Sequence, residues 1–102
     1  MANIEQARRA LVVRILEGDG TATHTQRKAA FENEGLEEPL RTLVRKVAER
    51  AHSVTDDDIT RAQQRGLSED QLFELVVCAA VGQATRQFES ALAALEAASA
   101  KG

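Results

Sequence analysis

The sequence predicts an all-α fold of about five helices, with a long apolar C-terminal helix at the core or at a subunit interface. Of the 102 residues, 43% are hydrophobic but only 3% are aromatic, apolar residues recur at helical spacing, and capping residues precede the apolar runs. The length suits a single domain, residues 1–102, and such a domain buries only about two-thirds of its unfolded surface. We therefore expect self-association rather than a monomer.

The first two predicted helices differ in apolar content. Apolar side chains at helical spacing, with charged residues mainly on the other side, predict an amphipathic helix over about residues 3–17. A Gly-Asp-Gly segment ends it. Thr23 and Gln26 form a capping box for a short second helix. This helix should extend through Asn33, with Gly35 as its left-handed terminator.

The third and fourth helices have clear start signals. Pro39 suits the first turn of a helix over residues 40–51, because its missing N–H would be unpaired there anyway. Thr55 caps the fourth helix, whose first turn holds the three aspartates 56–58 at the positive end of the helix dipole. Gly66 ends that helix.

The fifth helix is predicted to be long and to have two different halves. Ser68 and Gln71 form a capping box, and no proline follows, so the helix should run over about residues 69–98. Residues 72–81 are apolar nearly all round, which predicts a segment covered on every side. After Gly82 the apolar stripe narrows. The first half should therefore lie at the centre of the core or of a subunit interface.

Charge and cysteine content exclude several classes of protein. The formal net charge is −3, so nucleic acid and anionic membranes are disfavoured as partners. One cysteine cannot form an intramolecular disulfide. The N-terminal apolar run is interrupted at Arg14 and has charges on both sides, unlike a signal peptide or a membrane span. These features predict a cytoplasmic protein.

Residues 54–59 (VTDDDI), residues 66–72 (GLSEDQL) and the apolar helix that follows to Arg86 carry a family resemblance. They are similar to the C-terminal half of the alkylhydroperoxidase D-like, carboxymuconolactone decarboxylase superfamily. Together with the helix that precedes them, the resemblance covers roughly residues 39–95. It implies an all-α helical bundle that assembles as a homo-oligomer.

The resemblance transfers no catalytic residue. The peroxidase members of the superfamily carry a Cys-x-x-Cys pair followed by a histidine, upstream of the matched region. Residues 1–38 contain no cysteine, and Cys78 lies in the wrong helix for that motif. The chain therefore resembles a shortened member of the superfamily. The decarboxylase branch does not depend on a cysteine pair, but no motif here assigns its substrate.

Cys78 is expected to be a small buried side chain rather than a nucleophile. A disulfide-cycling peroxidase needs a thiolate of lowered pKa and a second thiol to resolve the oxidised sulfur. Cys78 has no second cysteine, no nearby cation in the sequence and only aliphatic neighbours in residues 76–80. One-cysteine peroxidation with an external thiol stays open.

Three other residues are the candidates for non-thiol catalysis: Glu74, His52 and Arg86. Glu74 lies one turn before Cys78 on the apolar segment, and a buried carboxylate must be paired or neutral. It is therefore a general acid or base of raised pKa in a pocket between subunits, or it pairs with a cation such as Arg86 of another subunit, or it is less buried. Arg86 is an anion ligand or a structural ion-pair partner.

The remaining polar patterns have structural explanations, and we predict no metal and no cofactor. A metal site would need His24 and His52, or one of them with the carboxylates 56–58, which already suit a helix N-terminus. The positively charged side chains of the third helix are expected to lie on a hydrated surface. Residues 59–75 fail as a DNA-reading helix-turn-helix, because the second helix starts with acidic residues and becomes apolar.

Two function hypotheses follow. In the first, the protein is alkylhydroperoxidase D-like but lacks the peroxidase cysteine pair. It would then be a non-redox oligomeric binding or structural module, whose partners are itself and a small apolar or anionic ligand. In the alternative it is an enzyme: an antioxidant peroxidase, or a carboxymuconolactone decarboxylase-like catalyst that uses Glu74, His52 or Arg86 in place of thiols.

Overall fold

A computed structural model describes the backbone of residues 2–101 and the side chains of residues 4–100. It confirms the all-α prediction: the fold is 80% helical, and the described part contains no strand. A short 3-10 turn, Ala51–Ser53, follows the third helix. The α-helices are α1 (Ala2–Glu17), α2 (His24–Glu32), α3 (Leu40–Arg50), α4 (Asp56–Gln64) and α5 (Glu69–Lys101).

The predicted capping boxes form at the starts of α2 and α5. The backbone N–H of Gln26 donates to Thr23 Oγ1 at 3.0 Å, and Gln26 Oε1 accepts from the Thr23 N–H in return. Ser68 and Gln71 make the same reciprocal pair, at 3.1 and 2.8 Å. These bonds satisfy N–H groups that have no partner inside the helix. Local sequence therefore decides where both helices begin.

Two predicted helix ends are displaced. α2 ends at Glu32, and Asn33 itself takes the left-handed conformation, with φ of 56°. Asparagine tolerates this conformation, so it terminates the helix two residues before Gly35, which also has a positive φ of 91°. α3 ends at Arg50, and the following residue, predicted as the last of its stripe, is exposed in the 3-10 turn.

The core consists of two buried clusters that share α5. Leu75 lies in the cluster that joins α5 to α2 and α3, and Leu72 in the cluster that joins it to α3 and α4. Burial of each such leucine contributes roughly 2 kcal/mol, so the short helices gain their stability by packing on α5. The first cluster contains Ala22, Ala30, Val44, Leu75, Cys78 and Ala79. The second contains Leu43, Ala62 and Leu72.

An ion pair joins α3 to the start of α4. Lys46 Nζ donates to Asp58 Oδ2 at 2.8 Å, and the N–H of Thr55 donates to the same carboxylate oxygen at 2.9 Å. The Lys46 hydrogen bond, followed by that of Thr55, holds the pKa of Asp58 below its ordinary value. The expectation that the α3 cations are simply solvated is therefore wrong for Lys46.

The prediction that residues 72–81 are covered on every side is wrong within the single chain. Leu72, Leu75, Cys78 and Ala79 are buried, whereas Phe73 on the other side of the helix is 69% exposed. The four shorter helices all pack on α5 but do not surround it, so one side faces solvent. None of the described helices combines the length and apolarity needed to cross a membrane.

α5 also extends beyond the other helices. All its described residues from 87 to 100 are exposed. Its 33 residues span about 50 Å at the rise of an α-helix, which accounts for the 54 Å long dimension of the fold. Roughly the last two-fifths of α5 therefore packs on little of its own chain.

α2 and α5 approach most closely at Gly82. A Cβ at this buried position would overlap the carbonyl oxygen of Phe31. Arg86, one turn later, donates from Nη1 to the same carbonyl at 2.6 Å. Gly82 thus allows contact between the two helices, and Arg86 satisfies the carbonyl that α2 leaves unpaired at its end.

Gly82→Ala should destabilise the fold even though alanine favours helices by about 1 kcal/mol over glycine. The added methyl group meets backbone, which cannot move aside, and overpacking of this kind costs about 1–3 kcal/mol. Chemical denaturation measures the free energy of unfolding. An increase in stability would contradict the close contact with Phe31.

Candidate functional site

The candidate site is a groove of about 550 Å³ between α1 and α5. Leu11 and Ile15 of α1 and Phe73 and Val77 of α5 provide its apolar walls. Its polar end is formed where the chain leaves α1 and enters α2. Gly18, Asp19, Arg27, Glu74 and Cys78 line that end. An apolar groove with a few polar groups at one end is the usual form of a small-molecule site.

Glu74 binds the loop that leads into α2. The N–H of Thr21 donates to both carboxylate oxygens at 2.9 Å, the Thr21 hydroxyl donates to Oε2, and the N–H of Ala22 donates to Oε1 at 3.3 Å. The carboxylate lies so close to the loop that a Cβ at Gly20 would overlap Oε1. Glu74 therefore tethers this loop to α5.

These hydrogen bonds reverse the expected pKa shift of Glu74. Burial raises the pKa, but the hydrogen bonds from Thr21 and Ala22, together with the positive charge of Arg27, outweigh it and hold the pKa below 4.5. The lowered pKa disfavours the general acid or base of raised pKa, one of the three alternatives that the sequence leaves open, because the ionised form receives the hydrogen bonds. Glu74 is a charged structural acceptor.

Arg27 is the site residue that the sequence interpretation missed. Its side chain is only 4% exposed, and Nη1 donates to the carbonyls of Gly18 at 2.7 Å and Ile15 at 3.3 Å. It thus satisfies the carbonyls at the end of α1, while its Nε has no hydrogen-bond partner among the described residues. One signal was present: Arg27 shares the apolar side of α2 with Ala30, one turn later.

Cys78 is buried at the inner end of the groove, as predicted. It is 1% exposed, and its sulfur faces the carbonyl oxygen of Ile15 at 3.6 Å. Burial raises the pKa of the thiol. The positive charge of Arg27 lowers this pKa only in part, and the negative charge of Glu74 raises it further. This cation comes from α2 and is absent from the local sequence. The thiolate that nucleophilic chemistry requires is disfavoured here.

The three candidate residues for non-thiol catalysis do not come together. Arg86 lies twelve residues beyond Glu74 on α5, about 18 Å along the helix, and it binds Phe31 and the side chain of Gln83. His52 is exposed in the 3-10 turn after α3. The groove that Glu74 lines includes neither of them.

The groove therefore offers apolar surface rather than a poised acid and base. The side chains of Glu74 and Arg27 are both held by the hydrogen bonds to backbone groups described above. His24, at the start of α2, is exposed. Within residues 4–100, no three His, Cys, Asp or Glu side chains group in a way that could hold a metal ion.

Comparisons with known proteins do not extend this description. No family model, no curated protein and no solved structure matches the chain. The resemblance to the alkylhydroperoxidase D-like superfamily thus stays a prediction.

Glu74→Gln should lower the free energy of unfolding near neutral pH by about 1 kcal/mol, because an amide cannot accept all the bonds that the carboxylate receives. The pKa of Glu74 in the folded protein lies below 4.5. Its ionised side chain therefore contributes fully to stability at pH values above the pKa of the unfolded chain. Its contribution is lost as the pH falls through the folded value. Denaturation at several pH values should show the two proteins converge in acid.

The matched control is Glu89→Gln, an exposed carboxylate on the same helix. It should change stability little at any pH. If the loss of stability in Glu74→Gln stayed the same in acid, that result would contradict the role of the Glu74 carboxylate in holding the loop.

Cys78 should react with a thiol reagent at least about 100-fold more slowly in the native chain than in denaturant, because reaction requires local opening. The control is Ser90→Cys in a Cys78→Ala background. This position is exposed on α5, and its thiol should react at nearly the unfolded rate. Rapid native labelling of Cys78 would contradict its burial.

Proposed function

We propose that the protein is a non-redox, self-associating helical module whose α1/α5 groove takes a small apolar ligand. The observation that carries this proposal is the solvent-facing apolar side of α5. Soluble chains seldom expose large continuous apolar areas unless those areas bind something. We call this side the outer face of α5. It comprises Phe73, Val76, Val77, Ala80, Ala84, Phe88, Ala91 and Leu95.

Several properties of the outer face support a role in association. Phe73 is 69% and Leu95 64% exposed, and these two residues lie near opposite ends of the face. At 100° per residue, Gln87 is the single polar side chain that α5 itself places on this arc between Phe73 and Leu95, and α5 places no charge there. Arg8 of α1 lies over the Phe88 ring, 5.0 Å from its centroid. Depletion of charge is typical of the buried centre of protein interfaces.

The non-redox part of the proposal rests on Cys78. Its burial and raised pKa oppose thiolate formation, and the chain holds no second cysteine to resolve an oxidised sulfur. The enzymatic alternative through Glu74, His52 and Arg86 has less support, because these residues lie apart. Peroxide consumption that depends on Cys78, with a dithiol as reductant, would overturn this part of the proposal.

We keep the superfamily resemblance as part of the proposal. The segment over residues 39–95, on which the resemblance depends, contains α3, α4 and most of α5. A shortened, cysteine-poor member of the alkylhydroperoxidase D-like superfamily would keep the helical bundle and its self-association but not the peroxidase chemistry. A cytoplasmic location belongs to the same proposal.

Light scattering at several concentrations tests the association. We expect a mass at least twice the 11.1 kDa of one chain, and a shift to the single-chain mass in Leu95→Glu, which places a charge on the outer face. The control is Val13→Glu. Val13 is 54% exposed but two residues from Leu11, hence on the opposite side of α1 from the groove.

The control should keep the wild-type mass, and circular dichroism should show the same helix content in all three proteins. A wild-type chain that stays monomeric at every concentration would overturn the proposed association.

A further inference from the structure

Six residues of the outer face of α5 form three pairs, and the members of each pair lie at equal distances on either side of Ala84. Phe73 lies eleven residues before Ala84 and Leu95 eleven residues after it. Since eleven residues are close to three helical turns, all three lie on one side of the helix. Val77 and Ala91 are each seven residues from Ala84, and Ala80 and Phe88 are each four.

Such a pattern is self-complementary. A two-fold axis brings the same surface of two copies together, with each residue opposite its mirror position. With the axis at Ala84, antiparallel α5 helices would place Phe73 opposite Leu95 of the second copy. Ala80 would lie opposite Phe88, so that a small residue meets a large one, as packed helices require.

The size of the face suits a dimer. A strip from Phe73 to Leu95 and its flanks is about 39 Å long, and half the circumference of a helix about 10 Å wide gives on the order of 600 Å² per copy. Exposed Ile4 and Leu11, on the adjoining edge of α1, add to this area. Stable interfaces bury about 800 Å² per partner, so the face provides most of what a dimer needs.

We infer that two copies pair through antiparallel α5 helices with Ala84 at the two-fold axis, an arrangement that rests on the association proposed above. The exposed end of α5 then lies along the first half of the partner helix. Leu95 of the second copy packs on Phe73 at the mouth of the α1/α5 groove. Each groove is therefore closed in part by the other copy.

Two further observations favour a second copy over an unrelated protein. The overhanging end of α5 packs on little of its own chain, and antiparallel pairing covers it with the solvent-facing side of the first half of an identical helix. Antiparallel helices also bring opposite ends of their dipoles together.

Cysteine cross-linking tests this register in a Cys78→Ala background. Ala84→Cys should form a covalent dimer under mild oxidation, because residues at the axis of closely packed helices come within disulfide range. Phe73→Cys alone should not, since its two copies would be about 33 Å apart. A mixture of Phe73→Cys and Leu95→Cys chains should cross-link.

Ser90→Cys is the matched control, because it is exposed on α5 but about 120° around the helix from Ala84. It should give little covalent dimer. If Cys78→Ala lowers the helix content, the same cysteine variants are made with Cys78 retained. The masses of peptides from the covalent dimers then identify the linked residues.

Cross-linking of Phe73→Cys with itself would indicate parallel helices and overturn the inference while the association stands. A dimer by light scattering with no Ala84→Cys cross-link would do the same. A monomer by light scattering would instead remove the association on which the register rests.

Discussion

The fold depends on close contact between α2 and α5 at Gly82. α2 has nine residues and little apolar surface, and a helix so short is unstable alone. Gly82 lets it lie directly on α5, with the carbonyl of Phe31 where a side chain would otherwise be. This contact sets the distance between the two helices, and therefore the position of the loop and of α1, which pack beside them.

Charged side chains complete this arrangement at the helix ends. Arg86 binds the last turn of α2, Arg27 binds the end of α1, and Glu74 binds the loop between them. Helix ends and loops leave backbone N–H and carbonyl groups without partners, and buried ones must be satisfied. The charges that look catalytic on an apolar helix are needed here to connect it with its neighbours.

Apolar residues occur on both the inner and the outer side of α5, for two separate reasons. Its inner side packs in both core clusters, through residues such as Leu72 and Leu75. Its outer side continues the apolar pattern past the point where the other helices end. A helix that only served the core of one chain would be amphipathic. The exposed apolar side is therefore the feature that the chain's own fold does not explain, and the proposed association does.

The sequence by itself determined the all-α class, the start of α2 at Thr23 and of α5 at Ser68, and the burial of Cys78. These features depend on local spacing and capping, which neighbouring residues specify. The end of α2 was harder to predict, because Asn33 and Gly35 can both adopt the left-handed conformation.

Only the tertiary structure decided the chemistry of the site. The pKa of Glu74 depends on Thr21 and Ala22, some fifty residues away in the chain. The positive charge that acts on the Cys78 thiol belongs to Arg27 on another helix. Electrostatic and hydrogen-bond effects act through space over a few ångströms, so sequence spacing could not show which groups meet. The same reason explains why one side of α5 was predicted as buried although the neighbouring helices leave it exposed.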